Sequence, residues 1–330
     1  MTSVSIVGAA GYSGQETLDR VLAHPQLEVA ALGSDSLNGK LVSALDPRLA
    51  RGHDELLPRF VSTDEALEAR ADVVFLCLGH DRAAEIEPPA TGIVIDLSGA
   101  HRLHDPSAYE SWYGWVHPRP AELADWSYGL PELTPASGRL IANPGCYATA
   151  AVLALQPIAG DIDPSTVVID AKSGVSGAGR SLRASSHAGA VLENVAPYRV
   201  GTHQHQPEIS QALGFAVCFV PHLLPVRRGL IATCYVDAGD TDVEATLVAA
   251  YADAPTVTVL PEDVAPELSR VQGTDGAEIG IFADKATGKT IVICAIDNLG
   301  KGAAGQAVQN ANIALGLPDT TGLRLAGILV

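Results

Sequence analysis

A thiol at position 146 and two imidazoles at positions 203 and 205 are the side chains best suited to nucleophilic and acid–base chemistry. Cys146 lies in Asn143-Pro144-Gly145-Cys146-Tyr147-Ala148-Thr149-Ala150, where a turn gives way to an apolar helical run from Ala148 to Leu155. Pro144 and Gly145 end whatever precedes them, which places the thiol in the first turn of the new helix. Unpaired backbone N–H groups and the positive end of the helix dipole stabilise a thiolate there, and the thiolate is the nucleophilic form. Taken alone, the segment reads equally well as a buried free cysteine serving as a small hydrophobe. The histidines stand two apart in His203-Gln204-His205-Gln206-Pro207-Glu208. On a strand they would share a face and could suit a metal, but no convincing set of further ligands accompanies them. One histidine acting as proton donor to a reaction at Cys146 is the stronger reading.

A second chemistry is written at the N-terminus. Gly8, Gly11 and Gly14 follow the apolar run Val4 to Val7 and open a helical pattern carried by Thr17, Leu18, Val21 and Leu22. Glycines between a strand and a helix permit a tight turn and close approach to a pyrophosphate, whose charge the helix N-terminus attracts. The spacing departs from the commoner G-x-G-x-x-G. The residue ending the second strand is Asp35, between Ser34 and Ser36, with Lys40 five residues on. An acid there accepts from a ribose 2′-hydroxyl and repels a 2′-phosphate, whereas Lys40 offers the opposite charge, so this corner points both ways. Two further loops suit anions. Arg102 in Ser98-Gly99-Ala100-His101-Arg102 can fork onto a phosphate or carboxylate, or make a surface salt bridge. The glycines, hydroxyls and terminal arginine of Ser173-Gly174-Val175-Ser176-Gly177-Ala178-Gly179-Arg180 suit an anion cradle, with a merely flexible loop as the alternative.

The elements that must position these groups fall into two halves. Apolar strands at Leu27 to Leu32, Asp72 to Leu78 and Ile93 to Leu97 alternate with helical patterns, the mark of a parallel sheet covered on both faces. From about Ser165 the runs lengthen and crowd: Thr166 to Ala171, Phe215 to Val220, Leu230 to Val236, Glu278 to Ala283 and Thr290 to Ile296. The last two flank Asp284 to Lys289, a hairpin loop. This half reads as a second domain on a largely antiparallel sheet, with one clear helix from Val243 to Asp253 and a closing helix from Lys301 to Leu315.

The bulk numbers exclude several functions. The 330 residues are 47% hydrophobic and 18% charged, a globular composition large enough for two domains. Charged residues or glycine interrupt every apolar stretch before it reaches membrane-spanning length, and Met1-Thr2-Ser3 has no basic leader region. Five scattered cysteines form no CxxC pair, which argues against disulfides and thiolate zinc and for a reducing cytoplasm. A net charge of −17 shows no basic footprint for nucleic acid.

Together the motifs resemble the N-acetyl-γ-glutamyl-phosphate reductase family, within the aspartate-semialdehyde dehydrogenase superfamily. The resemblance is carried by Gly8 to Gly14, Asp96-Leu97-Ser98, Tyr128-Gly129-Leu130-Pro131-Glu132, Asn143 to Tyr147, Lys172 to Arg180, His203 to Ile209, Pro221 to Gly229 and Asp297 to Gly302, in order along essentially the whole chain. It implies an α/β fold: a Rossmann dinucleotide-binding domain, 1–145 with 299–330, and a mixed α/β catalytic and dimerisation domain of the semialdehyde dehydrogenase type, 146–298. It implies NADPH, a small acyl-phosphate substrate, no metal, and a homodimer or homotetramer.

Three departures stand out. The family commonly has an Arg near Asp35, Asp-Phe-Arg in place of Ala100-His101-Arg102, and His-Arg-His where this chain has Gln204 between its histidines. The implied mechanism has Cys146 form a thioester, hydride transfer give a thiohemiacetal, and His205 first, His203 second, assist proton transfers. Cofactor contacts are expected at Gly8, Gly11, Tyr12, Ser13, Gly14, Ser34, Lys40, Ser98, Ser176, Gly177 and Asn298. Substrate contacts are expected at Arg102, Asn143, Ser173 and Arg180. Removal of Asp35 is expected to leave NADP use intact or improved. The rivals are aspartate-semialdehyde dehydrogenase, which the paired histidines oppose, a reductase of carrier-bound aminoadipyl groups, which the net charge opposes, and a dinucleotide-binding regulator, which would not need Cys146.

Overall fold

The structure, a computed structural model, describes residues 1–50, 55–181 and 187–327. Its strands are β1 (Thr2–Val7), β2 (Leu27–Gly33), β3 (Phe60–Val61), β4 (Val73–Leu76), β5 (Ile93–Asp96), β6 (Ser127–Tyr128), β7 (Leu140–Ala142), β8 (Val168–Gly174), β9 (Ala196–Pro197), β10 (Cys218–Leu224), β11 (Leu230–Val236), β12 (Val257–Val259), β13 (Ala277–Asp284) and β14 (Lys289–Ile296). Its α-helices are α1 (Tyr12–Ala23), α2 (Thr63–Glu68), α3 (His80–Glu85), α4 (Ser107–Tyr113), α5 (Cys146–Leu155), α6 (Ala188–Val191), α7 (His205–Leu213), α8 (Val243–Ala250), α9 (Leu268–Val271) and α10 (Gly305–Ala314). By contact they group into two units: 1–106, 117–144 and 303–323 in the first, 107–116, 145–302 and 324–327 in the second. Residues 107–116, 145, 299–302 and 324–327 therefore group with the second unit, although the sequence reading gives them to the first.

The first unit holds a seven-stranded sheet in the order β3-β2-β1-β4-β5-β7-β6, parallel at every pair. Alternate residues of one strand feed two separate cores. Val73 and Phe75 of β4 pack with Leu18, Val21, Val308 and Ala311, while Val74 and Leu76 pack with Ala66 and Trp126 on the other face. Burial on both faces is why these strands read as unbroken apolar runs. The helix α10 returns to this unit and packs on α1 and β5.

The second unit holds a mixed seven-stranded sheet, β12-β13-β14-β11-β8-β10-β9, in which only β8/β10 and β12/β13 run parallel. The Asp284–Lys289 hairpin forms as the sequence suggests, with Asp284 accepting from the Ala286 N–H and the Thr287 hydroxyl. The strand expected at Phe215 to Val220 instead runs from Cys218 through Pro221 to Leu224. Pro221 lies within the strand and faces the short edge strand β9, where its carbonyl accepts from Tyr198 and no ladder N–H is required. One sheet face is buried, with Ile169, Ala171, Ala232, Cys234 and Cys294 all fully enclosed, and α5 packs on it through β11 and β14. The opposite face, with Val168, Val220, Tyr235 and Ile293, is only half covered.

Candidate active site

Cys146 is the first residue of α5, after Gly145 as N-cap, and it is half-buried. Every later residue of α5 is buried, so the helix is anchored by its whole apolar surface and holds its N-terminus fixed. Its first turn is pinned by a long-range bond: the Gly145 N–H donates to Glu208 Oε1 at 2.8 Å, from a side chain with no exposure. The Glu208 carboxylate lies at the positive end of α5, where a negative group is favoured. Gly302 must lack a side chain, since a Cβ there would sit 2.7 Å from the Cys146 Cβ.

The two histidines stand at a helix start, not on a strand, so the shared-face geometry that might have suited a metal does not arise. His205 opens α7 and its N–H donates to Nδ1 of His203 at 3.1 Å. An acceptor nitrogen carries no proton, which assigns the His203 proton to Nε2. His203 is boxed edge-on by Tyr147, Tyr198, Phe219 and His205, the two imidazoles 4.8 Å apart. The Tyr198 hydroxyl donates to the Tyr147 hydroxyl at 3.1 Å, and Tyr147 donates to the His222 carbonyl at 3.2 Å. Burial pushes the Tyr147 phenol far up and the Tyr198 phenol up to about 12, so both stay protonated donors. Among the described residues no group of three His, Cys, Asp or Glu side chains is gathered as a metal site.

Asp297 organises the loop after β14. It is fully buried, takes Nε and Nη2 of Arg228 at 2.6 and 3.0 Å, and accepts the N–H groups of Leu299 and Gly300. Asn298 accepts from the Gly229 N–H and donates to Ser176 Oγ at 2.9 Å, which fixes the Val175–Ala178 turn containing Gly177. Ser173 is buried in β8, and Arg180 lies exposed beyond that turn. The expected residues Cys146, Ser173, Ser176, Gly177, Arg180, His203, His205 and Asn298 thus all belong to the second unit.

The first unit holds the rest. Gly8 has φ +87°, and a Cβ there would meet the Cys77 carbonyl oxygen at 2.4 Å. At Gly14 a Cβ would lie 2.5 Å from the Gly8 oxygen. Packing does not demand glycine at position 11, where the nearest atom would be 3.4 Å away. A pyrophosphate approaching the first-turn N–H groups of α1, near Tyr12 and Ser13, would demand it, and α1 has no side-chain cap to compete. These residues fit a dinucleotide. At the neighbouring corner Lys40 and Ser36 are exposed, and Ser34 and Ser36 hydroxyls lie 3.2 Å apart. Asp35 is turned to Thr63, accepting its N–H at 2.8 Å and its hydroxyl at 3.0 Å, bonds that hold its carboxyl below the usual range.

Three other expected contacts are already engaged. Ser98 donates to buried Asp96 at 2.8 Å. Arg102 is buried and donates to the carbonyls of Asn143 and Leu97 at 2.7 and 2.8 Å. Asn143 accepts from Asn310 at 3.1 Å. His101, where the family commonly has Phe, stacks on Trp126 at 3.8 Å and bonds Asp96 at 2.6 Å. Burial would raise the Asp96 carboxyl, but the His101 and Ser98 bonds outweigh it and hold it low.

Sequence reasoning gave no role to Glu208, Tyr198, Arg228 or Asp297. Three of them sit inside the quoted motifs, which is the signal that was present; Tyr198 sits outside all of them.

Two family models cover most of the chain. Residues 3–140 match the semialdehyde dehydrogenase NAD binding domain, and 146–298 the semialdehyde dehydrogenase dimerisation domain. An N-acetyl-gamma-glutamyl-phosphate reductase from Acidothermus cellulolyticus is 45% identical, over 98% of each chain. One from Salinispora tropica is 44% identical, also over 98% of each. Among solved structures, aspartate semialdehyde dehydrogenase II from Vibrio cholerae, complexed with ASA, superimposes with a TM-score of 0.71 at 18% identity, covering 96% of this chain and 98% of its own. The Candida albicans enzyme with NADP gives 0.64 at 19%, covering 96% and 99%. At that identity the two structures speak for the fold alone.

Proposed function

The chain belongs to the N-acetyl-γ-glutamyl-phosphate reductase family of semialdehyde dehydrogenases, and from that premise we propose that it reduces N-acetylglutamyl 5-phosphate to the 5-semialdehyde and phosphate, as an oxidoreductase of arginine biosynthesis, through a thioester on Cys146. The observation that carries the reading is Cys146 as the first residue of a buried helix whose N-cap is tied to Glu208.

The Cys146 thiolate attacks the acyl carbon, a C–S bond forms, and phosphate leaves with the C–O electron pair. Bound NADPH supplies the hydride that reduces the resulting thioester carbon. First-turn N–H groups of α5, which have no intrahelical carbonyl to bond, hold the oxyanion at each tetrahedral stage. The Gly145 N–H, already given to Glu208, is not one of them. His205 moves the proton as the thiohemiacetal forms and collapses to aldehyde and Cys146 thiol. His203 orients His205 and faces the substrate through Nε2. Ser173 and Arg180 bind the carboxylate and phosphate ends, while Ser176, Gly177 and Asn298 line the nicotinamide side. Arg102 and Asn143 act through the backbone they hold.

The half-covered face of the second sheet supports a homo-oligomer, in line with the matched dimerisation domain. Apolar side chains standing out of an open sheet face need a partner surface.

The test is turnover of N-acetylglutamyl phosphate against aspartyl phosphate with NADPH, in the order of hundredfold preference for the former. Preference for aspartyl phosphate would transfer the chain's activity to the rival superfamily reaction. No turnover of either would leave a nucleotide-binding protein without chemistry.

A further inference from the structure

The corner after β2 settles how its acidic residue is used. An aspartate that grips a ribose must direct its carboxylate at the sugar 2′-hydroxyl, on the side of the glycine turn. Both oxygens of Asp35 instead accept from Thr63, the first residue of α2. Direction matters as much as occupancy. The sheet order is β3-β2-β1, so Thr63, which follows β3, lies on the opposite side of β2 from the glycine turn that follows β1. Asp35 therefore reaches away from the pyrophosphate turn and toward the sheet edge. The rest of the loop is held the same way: the Ser34 N–H donates to Val61, the Gly39 N–H donates to Phe60, and the Phe60 N–H donates to Lys40, each near 2.9 Å. The Asp35–Leu37 turn is thus stitched to β3 and α2, with the Ser34 and Ser36 hydroxyls left side by side and Lys40 in solvent.

We propose that Asp35 is a positioning residue that ties the 34–40 turn to the start of α2, and that the 2′-phosphate of NADPH is recognised by the Ser34 and Ser36 hydroxyls with the charge of Lys40. This rests on the NADPH reading above. It also revises the expectation that Asp35 is dispensable: a strut that shapes the turn supports any nucleotide bound there, with or without a 2′-phosphate.

The test needs no turnover. Calorimetric titration of the full chain compares 2′,5′-ADP with 5′-AMP, which lacks only the 2′-phosphate, and amide hydrogen exchange follows Thr63. The parent should bind 2′,5′-ADP at least about tenfold more tightly, a difference set by the phosphate contacts. Asp35→Ala should weaken both nucleotides by a similar factor and speed exchange at Thr63. Asp35→Asn, which keeps an acceptor in place, should do less of each and covers the case where the alanine variant folds poorly. Lys40→Ala should weaken 2′,5′-ADP alone. If Asp35→Ala weakens 5′-AMP selectively, or leaves Thr63 exchange unchanged, Asp35 is not the strut and the proposal falls. If the parent binds neither nucleotide while Thr63 remains protected, it is the cofactor reading that fails, and the phosphate assignment with it.

Discussion

Two helices of this chain begin at a glycine with almost the same backbone geometry. Gly11 before α1 has φ −73° and ψ 167°, and Gly145 before α5 has φ −73° and ψ 153°; neither helix has a side-chain cap. What surrounds them differs. The first helix is amphipathic, and its entry turn closes on itself, the Gly11 N–H returning to Gly8. The second is apolar on all sides, and its entry is bonded to a buried carboxylate on another helix. A helix N-terminus is a general anion site. At α1 its first turn is partly exposed, open to the dinucleotide phosphate proposed above. At α5 it is built into a core, behind the thiol proposed above as the nucleophile.

Removing the thiol separates the two most sharply. Cys146→Ser should lower turnover on the order of 10⁴-fold or more, as loss of a nucleophile does, while NADPH binding at the glycine turn persists. Activity within tenfold of the parent would end the covalent mechanism. Next in size, His205→Asn should slow single-turnover reduction by roughly 10²–10⁴-fold, whereas His203→Asn should act mainly on substrate KM. The reverse pattern would exchange their roles.

Glu208→Ala tests whether the α5 entry depends on its tie. Loss of a bond to a charged acceptor costs about 1.5–3 kcal/mol, or roughly ten- to a hundredfold if it falls on catalysis, and Glu208→Gln, with an oxygen still available to Gly145, should recover most of kcat. Equal loss in both variants would point to the charge instead of the bond. At the other entry, Gly14→Ala drives a Cβ into the Gly8 carbonyl and should cost about 1–3 kcal/mol of stability. NADPH binding should fall with it, while alkylation of Cys146 is unchanged. Coupled loss of both would blur the distinction between the two helix starts.

The smallest effect is a difference in labelling. Iodoacetamide at neutral pH should modify Cys146 fastest. Burial holds the Cys77 and Cys234 thiols up to about 12 and raises Cys294 further, so they should not react in the folded protein. Cys218 is exposed and should label more slowly than Cys146, so its rate is the reference for an accessible thiol. Equal rates at Cys146 and Cys218 would mean that the start of α5 does not activate its thiol.

Features that depend on neighbours in sequence were legible before the structure. Gly8, Gly14 and Gly145 announce turns because only local backbone is involved, and the unbroken run at Val73 to Leu76 announces a strand buried on two faces. Features that depend on distant partners were not. Nothing near Gly145 signals a bond to a residue 63 positions later, and nothing near Asp35 shows that its carboxylate belongs to Thr63, 28 positions on. The spacing of His203 and His205 fits a strand as well as a helix start; the fold chooses the helix, and His203 Nδ1 then accepts the N–H of its first residue.

The burial of α5 also says where this enzyme can change and where it cannot. Nine residues behind Cys146 are locked in the core, so shifting the nucleophile means repacking the centre of the second unit, and even one added methylene is felt there. The surfaces that can vary cheaply are Arg180, exposed beyond the Val175–Ala178 turn, and the approach to Tyr198. A lineage, or an engineer, seeking a different acyl chain would therefore edit those loops and leave the helix alone. Across such a series the reactivity of the thiol should stay constant while substrate preference drifts.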